Sequence, residues 1–189
     1  ILSRSLVRAR QHVSIQRPAC VHVGRIGAAD SFSPQTGGQR EVKRPQTGDL
    51  EYIFHPKSIA FAGVSRTGQA LLESHLISGF EGDLYPISRT LTEAQGLQCY
   101  TDIKDIPGQV DYVWATIPAQ ATPQFMRDCA AKGVKVVSFF TAGFSEKDEE
   151  GARLEAEIVG IARNGAMRIL GPNCMGIYCP STGLTFAHG

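Results

Sequence analysis

Residues 170–178 read LGPNCMGIY, which places Cys174 in a Gly-Pro-Asn turn directly after an apolar segment. Three chemistries suit a thiol there: metal ligation, a reactive thiolate, or a small side chain lining a pocket. Cys174 and Cys179 have four residues between them, and they would chelate a metal only with two further ligands from elsewhere. His12, His22, His55, His75 and His188 show no paired ligand spacing, so no metal site is expected. Cys20, Cys99, Cys129, Cys174 and Cys179 form an odd, irregularly spaced set, which speaks against a disulfide framework and for a reducing compartment.

Other stretches share this small, polar, Gly/Pro-rich character: GVSRTGQ (63–69), SRT (88–90), IPA (117–119) and FTAGF (140–144). The first enters a helix N-terminus, where free N–H groups and the helix dipole favour a phosphate. Ser65 and Thr67 offer hydroxyls there, and Gly63 and Gly68 let the backbone approach a ligand closely. After the second strand an NAD site usually carries an acid for the adenosine ribose, whereas this chain has Ser88 and Arg89. A basic group suits a phosphorylated ribose, that of NADP or the 3′-phosphate of coenzyme A.

Such loops need a scaffold that gathers strand ends, and one is legible from Asp49 onward. SIAFAG (58–63) is a short apolar strand ending in Gly. Residues 67–78 follow as a helix with Leu71, Leu72, His75 and Leu76 on one face. His75 is expected to be a core or boundary residue. DLYPIS (83–88) and DYVWATIP (111–118) read as the next strands, the latter stopped by Pro118. Thr122 followed by Pro123 predicts an N-cap with Pro at the first helical position, Phe125, Met126, Cys129 and Ala130 the buried stripe, and Gly133 the stop. VKVVSFF (134–140) is almost wholly apolar, as expected for a parallel sheet covered on both faces. Ser145 and Asp148 have capping-box spacing ahead of a helix burying Leu154, Ile158 and Ile161, with EKDEE read as solvated charge. MRIL (167–170) completes a doubly wound, mostly parallel α/β pattern, in which ligands bind beyond the carboxyl ends of the strands.

With 189 residues, 42% of them hydrophobic, the chain can bury one good core, so one domain (49–189) and an N-terminal tail (1–48) are expected. The tail carries eight Lys/Arg against Asp30 and Glu41, which leaves 11 basic and 16 acidic groups for the remainder. The folded part is thus acidic, which excludes a general attraction to nucleic-acid phosphates. No apolar run reaches the length of a membrane span. The first 29 residues hold five Arg and no acid. That composition fits either a disordered basic extension or an organelle leader.

Taken in order, LEYIFHPKSIAFAGVS, GFEGDLYPIS, GLQCYTDIKDIPGQVDYVWATIPA, AAKGVKVVSFFTAGFSE and MRILGPNCMGIYCPSTGLTFA resemble the coenzyme A-binding domain of NDP-forming acyl-CoA synthetases. That family includes ADP-forming acetate–CoA ligases and is similar to the alpha subunit of succinyl-CoA synthetase. The resemblance covers residues 50–188 and implies a Rossmann-like domain with coenzyme A held across the loops above. It would give CoA phosphate to Ser65, Thr67, Gly68 and Gln69, and the adenosine and pantetheine path to Ile117, Pro118, Ala119 and Phe140, Thr141, Ala142, Gly143. The Asn173–Cys174 turn would lie near the sulfur end, with Cys174 as a small pocket-lining residue.

Two departures stand out: the first loop is shorter than the family's, and its usual Asn-Pro-Lys after the second strand is here Ser88, Arg89, Thr90. The resemblance also implies an ATP-grasp module and a phosphorylated His in a following domain. His188 lacks the motif around that His, and the chain ends about where that domain would begin, so this chain alone is expected to bind rather than catalyse. The family's usual setting is the cytoplasm; a functional leader would make it the mitochondrion. Two other readings remain open: a stand-alone CoA-binding or regulatory module, and an NADP-dependent oxidoreductase or redox sensor. Arg89 motivates the second, while the missing GxGxxG fingerprint and the lack of a clear acid or base in the loops weigh against it.

Overall fold

A computed structural model describes residues 50–186. The expectations for residues 1–48 and for His188 lie outside the described residues. After a single-turn helix, α1 (Glu51–Phe54), the chain enters β1 (Ser58–Ala62), α2 (Ala70–Ile77) and β2 (Asp83–Ile87). A two-residue hairpin, β3 (Glu93–Ala94) with β4 (Leu97–Gln98), precedes β5 (Tyr112–Ala115). α3 (Thr122–Lys132), β6 (Val136–Phe139), α4 (Glu149–Asn164) and β7 (Arg168–Leu170) complete the fold.

β1, β2, β5, β6 and β7 form one parallel sheet in the order β2-β1-β5-β6-β7. The expected doubly wound, Rossmann-like α/β architecture is therefore present. Every residue of β1, β5 and β6 is buried, because helices cover both faces of the sheet and no face of these central strands meets water. Alternate residues feed separate cores. On one face Ile59, Phe61, Tyr112 and Trp114 pack against Leu72 of α2 and Ile53 of α1. On the other, Ala60, Ala62, Val113 and Val137 pack against Met126 and Cys129 of α3 and Ile158 of α4. Cys129 is thus a packing residue, and burial pushes its thiol pKa well up.

His75 is fully buried, as expected of a core residue, with its ring 5.1 Å from that of Phe61 and 5.2 Å from that of Trp114. Desolvation holds its pKa below the ordinary value, so the ring is neutral, with Nδ1 2.7 Å from the Leu71 carbonyl.

Helix starts differ from expectation in three places. α2 begins at Ala70, three residues later than predicted, because Gly68 N–H turns back to Ser65 Oγ (3.1 Å) and the Ser65 carbonyl (3.2 Å). Thr122 is inside α3 rather than its N-cap; its hydroxyl donates to the Ala119 carbonyl at 2.6 Å. Asp148 alone caps α4 by accepting from Gly151 N–H (2.8 Å), and Ser145 instead hydrogen-bonds Glu155. The EKDEE charges are also more than solvated surface. Glu146 takes the N–H groups of Gly143 (2.6 Å) and Phe144 (3.1 Å), and those donors hold its carboxyl below the usual range.

Candidate functional site: a cleft where the connections diverge

The connection leaving β1 runs to α2 on one face of the sheet, and that leaving β5 runs to α3 on the other. Neighbouring parallel strands whose connections part this way leave a crevice at their carboxyl ends, the topological switch point. Here that crevice is a cleft of about 560 Å³, within the range of small-molecule sites. Gly63 and Val64 line it from the end of β1, Ser88, Arg89 and Thr90 from the end of β2, and Thr116, Ile117 and Pro118 from the end of β5. Thr101, Asp102 and Ile103, with Gln124, Phe125 and Asp128 of α3, close the far side.

The mouth is tightly built. Gly63 has φ +96°, and a Cβ there would lie 2.7 Å from Thr116 Oγ1. That hydroxyl donates to the Ala62 carbonyl at 3.0 Å, while Gly63 and Val64 N–H both donate to Ile87 O (3.2 and 3.0 Å). Ser88 is buried, and its Oγ accepts from the N–H groups of Thr90 (3.3 Å) and Leu91 (3.2 Å). Its side chain therefore shapes the turn that presents Arg89. Arg89 is exposed, and among the described residues it forms no ion pair. The two acids of the cleft are engaged elsewhere: Lys104 Nζ lies 3.4 Å from Asp102 Oδ2 and 3.2 Å from Asp128 Oδ1. Hydrogen bonds and charge from Asp128 and Asp102 raise the Lys104 pKa, so its ammonium stays protonated.

Of the residues expected to touch ligand, Gly63, Ser88, Arg89, Ile117 and Pro118 come together in this cleft. Ala119 is buried just beyond, at van der Waals distance from where a Gly143 Cβ would stand. Phe140, Thr141, Ala142, Gly143, Asn173 and Cys174 form a neighbouring loop cluster beyond β6 and β7. Thr141 Oγ1 ties it to the cleft by donating to the Ile117 carbonyl (2.6 Å). Asn173 N–H and Cys174 N–H bond the carbonyls of Thr141 and Phe139, each at 3.0 Å. Ser65, Thr67, Gly68 and Gln69 do not line the cleft; Gln69 instead accepts from Gln95 of the hairpin turn (3.3 Å).

Sequence reasoning missed Thr101, Asp102, Ile103, Gln124, Phe125 and Asp128. The first three lie in a polar stretch with no periodicity. Gln124 and Asp128 share one helix face and are joined at 3.2 Å, an i,i+4 pair that was the available signal. Phe125, assigned to the buried stripe, is only half-buried and lines the cleft.

A parallel sheet with a ligand-sized crevice at its switch point defines a doubly wound α/β binding domain. Comparison with known proteins specifies which. Residues 57–180 match the family model described as a CoA binding domain. ADP-forming acetate–CoA ligase II of Archaeoglobus fulgidus is 37% identical over 161 residues, covering 83% of this chain and 24% of the ligase. The alpha subunit of ADP-forming acetate–CoA ligase II of Pyrococcus furiosus is 41% identical over 131 residues, covering 68% of this chain and 29% of that subunit. Among solved structures, dinucleotide-forming acetyl-coenzyme A synthetase 1 of Ca. Korarchaeum cryptofilum, in complex with phosphate and ADP, superposes with a TM-score of 0.68 at 38% identity, over 73% of this chain and 31% of that one. The chain belongs to the CoA-binding domain family, and coenzyme A is its ligand. It spans less than a third of the length of these relatives. The residues of the cleft fit that ligand: a guanidinium without an ion pair among the described residues for a phosphate, the half-buried ring of Phe125 for a base, and the apolar Ile117–Pro118 edge for an alkyl arm.

Proposed function

We propose that this domain holds coenzyme A for an acid–CoA ligase that makes acyl-CoA from a carboxylate, coenzyme A and ATP or GTP. The adenosine end occupies the switch-point cleft with its 3′-phosphate at Arg89. The pantetheine arm runs along Ile117, Pro118 and Ala119 toward Phe140–Gly143 and the Asn173–Cys174 turn. The acyl phosphate and phosphohistidine steps belong to companion ATP-grasp and His-bearing domains or subunits, and this domain contributes the thiol substrate in position. The working compartment of this reading is the cytoplasm, or the mitochondrial matrix if the basic N-terminal stretch acts as a leader. The observation that carries the reading is the cleft itself, where an exposed Arg89, without an ion pair among the described residues, and the Ile117–Pro118 edge face one crevice.

The test is a thermal-shift titration of the full chain with coenzyme A, dephospho-CoA, NADP and NAD in parallel. A ligand that binds only the native state adds about 2.7 kcal/mol at one hundred times its dissociation constant. Stabilisation by coenzyme A and weaker stabilisation by dephospho-CoA is the expected result. A response to NADP alone would replace this reading with a redox one, and a folded protein indifferent to coenzyme A would refute it.

A further inference from the structure

Arg89 lines a cleft that also contains two carboxylates, yet it pairs with neither. The backbone makes this notable. Ile87 and Tyr100 form a parallel bridge, and Ser88 N–H donates to the Tyr100 carbonyl at 2.8 Å. The segments 88–89 and 101–102 therefore leave the sheet side by side, both lining the cleft. Two opposite charges so placed would ordinarily attract. Lys104 instead engages Asp102 twice, at Oδ1 through its own N–H (2.9 Å) and at Oδ2 through Nζ (3.4 Å). The same ammonium reaches Asp128 Oδ1 at 3.2 Å, where Gln124 Nε2 donates as well (3.2 Å). The 3₁₀ turn Ile103–Asp105 that carries Lys104 is fixed by a capping box between Asp102 and Asp105 and by buried Ile103.

We propose that Lys104 is a positioning residue for phosphate recognition: by clasping Asp102 and Asp128 it keeps both carboxylates off Arg89 and leaves that guanidinium for a ribose phosphomonoester. The inference rests on the proposed placement of the 3′-phosphate at Arg89. Without Lys104, Asp102 and Asp128 become uncompensated. They then compete with the ligand for Arg89 and repel its phosphate. A ligand lacking that phosphate has no Arg89 contact to lose and carries less charge to be repelled.

The experiment measures dissociation constants of the full chain for coenzyme A and dephospho-CoA by calorimetry. It compares wild type, Lys104→Met, Lys104→Arg, and Lys104→Met combined with Asp102→Asn and Asp128→Asn, with circular dichroism and Tm confirming that each variant is folded. Lys104→Met is expected to weaken coenzyme A about fivefold, the scale of a partly exposed charge interaction, and to weaken dephospho-CoA distinctly less, so that the preference for coenzyme A falls. Lys104→Arg is expected to retain the preference, and the triple variant, which keeps the Asp102 cap as Asn, to regain it. Equal weakening of both ligands, or an unchanged preference in Lys104→Met, overturns the inference while leaving coenzyme A binding intact. A wild-type protein that binds both ligands equally removes the Arg89–phosphate contact and the inference with it. A wild-type protein that binds neither refutes the proposed function itself.

Discussion

Gly63 is where the end of a strand becomes the mouth of a site. Its φ of +96° and the 2.7 Å approach to Thr116 Oγ1 leave no room for a side chain. Gly63→Ala is therefore expected to cost about 1–3 kcal/mol of stability, the scale of a strained backbone position, read by urea denaturation, and to weaken coenzyme A binding in calorimetry. The residue could be singled out from sequence because a short apolar run ending in Gly marks a turn. Its partner could not: nothing local says that Thr116, far along the chain, will bond Ala62 and stand over Gly63. The same holds for Asp102 and Asp128, whose meeting at Lys104 brings a 3₁₀ turn and a helix together. Arg89 was legible as a basic group after the second strand, whereas its lack of an ion pair among the described residues belongs to three dimensions.

At the scale of the element, α4 shows how much a helix owes to what lies against it. Gly151 sits over the main chain of Phe144, and a Cβ there would be 2.0 Å from the Phe144 carbonyl oxygen. Gly160 in the same helix has nothing within 4 Å of such a Cβ. Gly151→Ala is expected to destabilise by about 1–3 kcal/mol through overpacking against backbone that cannot rotate away. Gly160→Ala should stabilise by about 0.5–1 kcal/mol through helix propensity. Thermal denaturation of the two variants side by side checks both signs. The body of α4 was readable because Leu154, Ile158 and Ile161 recur with helical period. Its start was less so, since Ser145 and Asp148 both suit a cap, and the choice fell to Asp148 once Glu155 took the serine. Thr122 is no cap for α3 either: the helix already includes it, and its hydroxyl donates back to the Ala119 carbonyl.

For the molecule as a whole, the alternation of strands and helices was written in the sequence, but the order β2-β1-β5-β6-β7 was not. Which strand lies beside which depends on handed crossovers and shared cores, and the ordered loops resembling a known family supplied what local periodicity lacked. That order has a consequence in time. The cleft end of the central strand pair is closed by the bond of Thr116 to Ala62 and the opposite end by that of Asp111 to Ser58, across sequence separations of 54 and 53 residues. Contacts of such range form only after a long loop has been closed, so the cleft does not exist until the central pairing is complete. A ligand bound there acts on the finished state and not on the path to it. Saturating coenzyme A is expected to slow unfolding in stopped-flow experiments and to leave the refolding rate unchanged. The cofactor would then work as a latch on a completed molecule rather than a mould for one in the making.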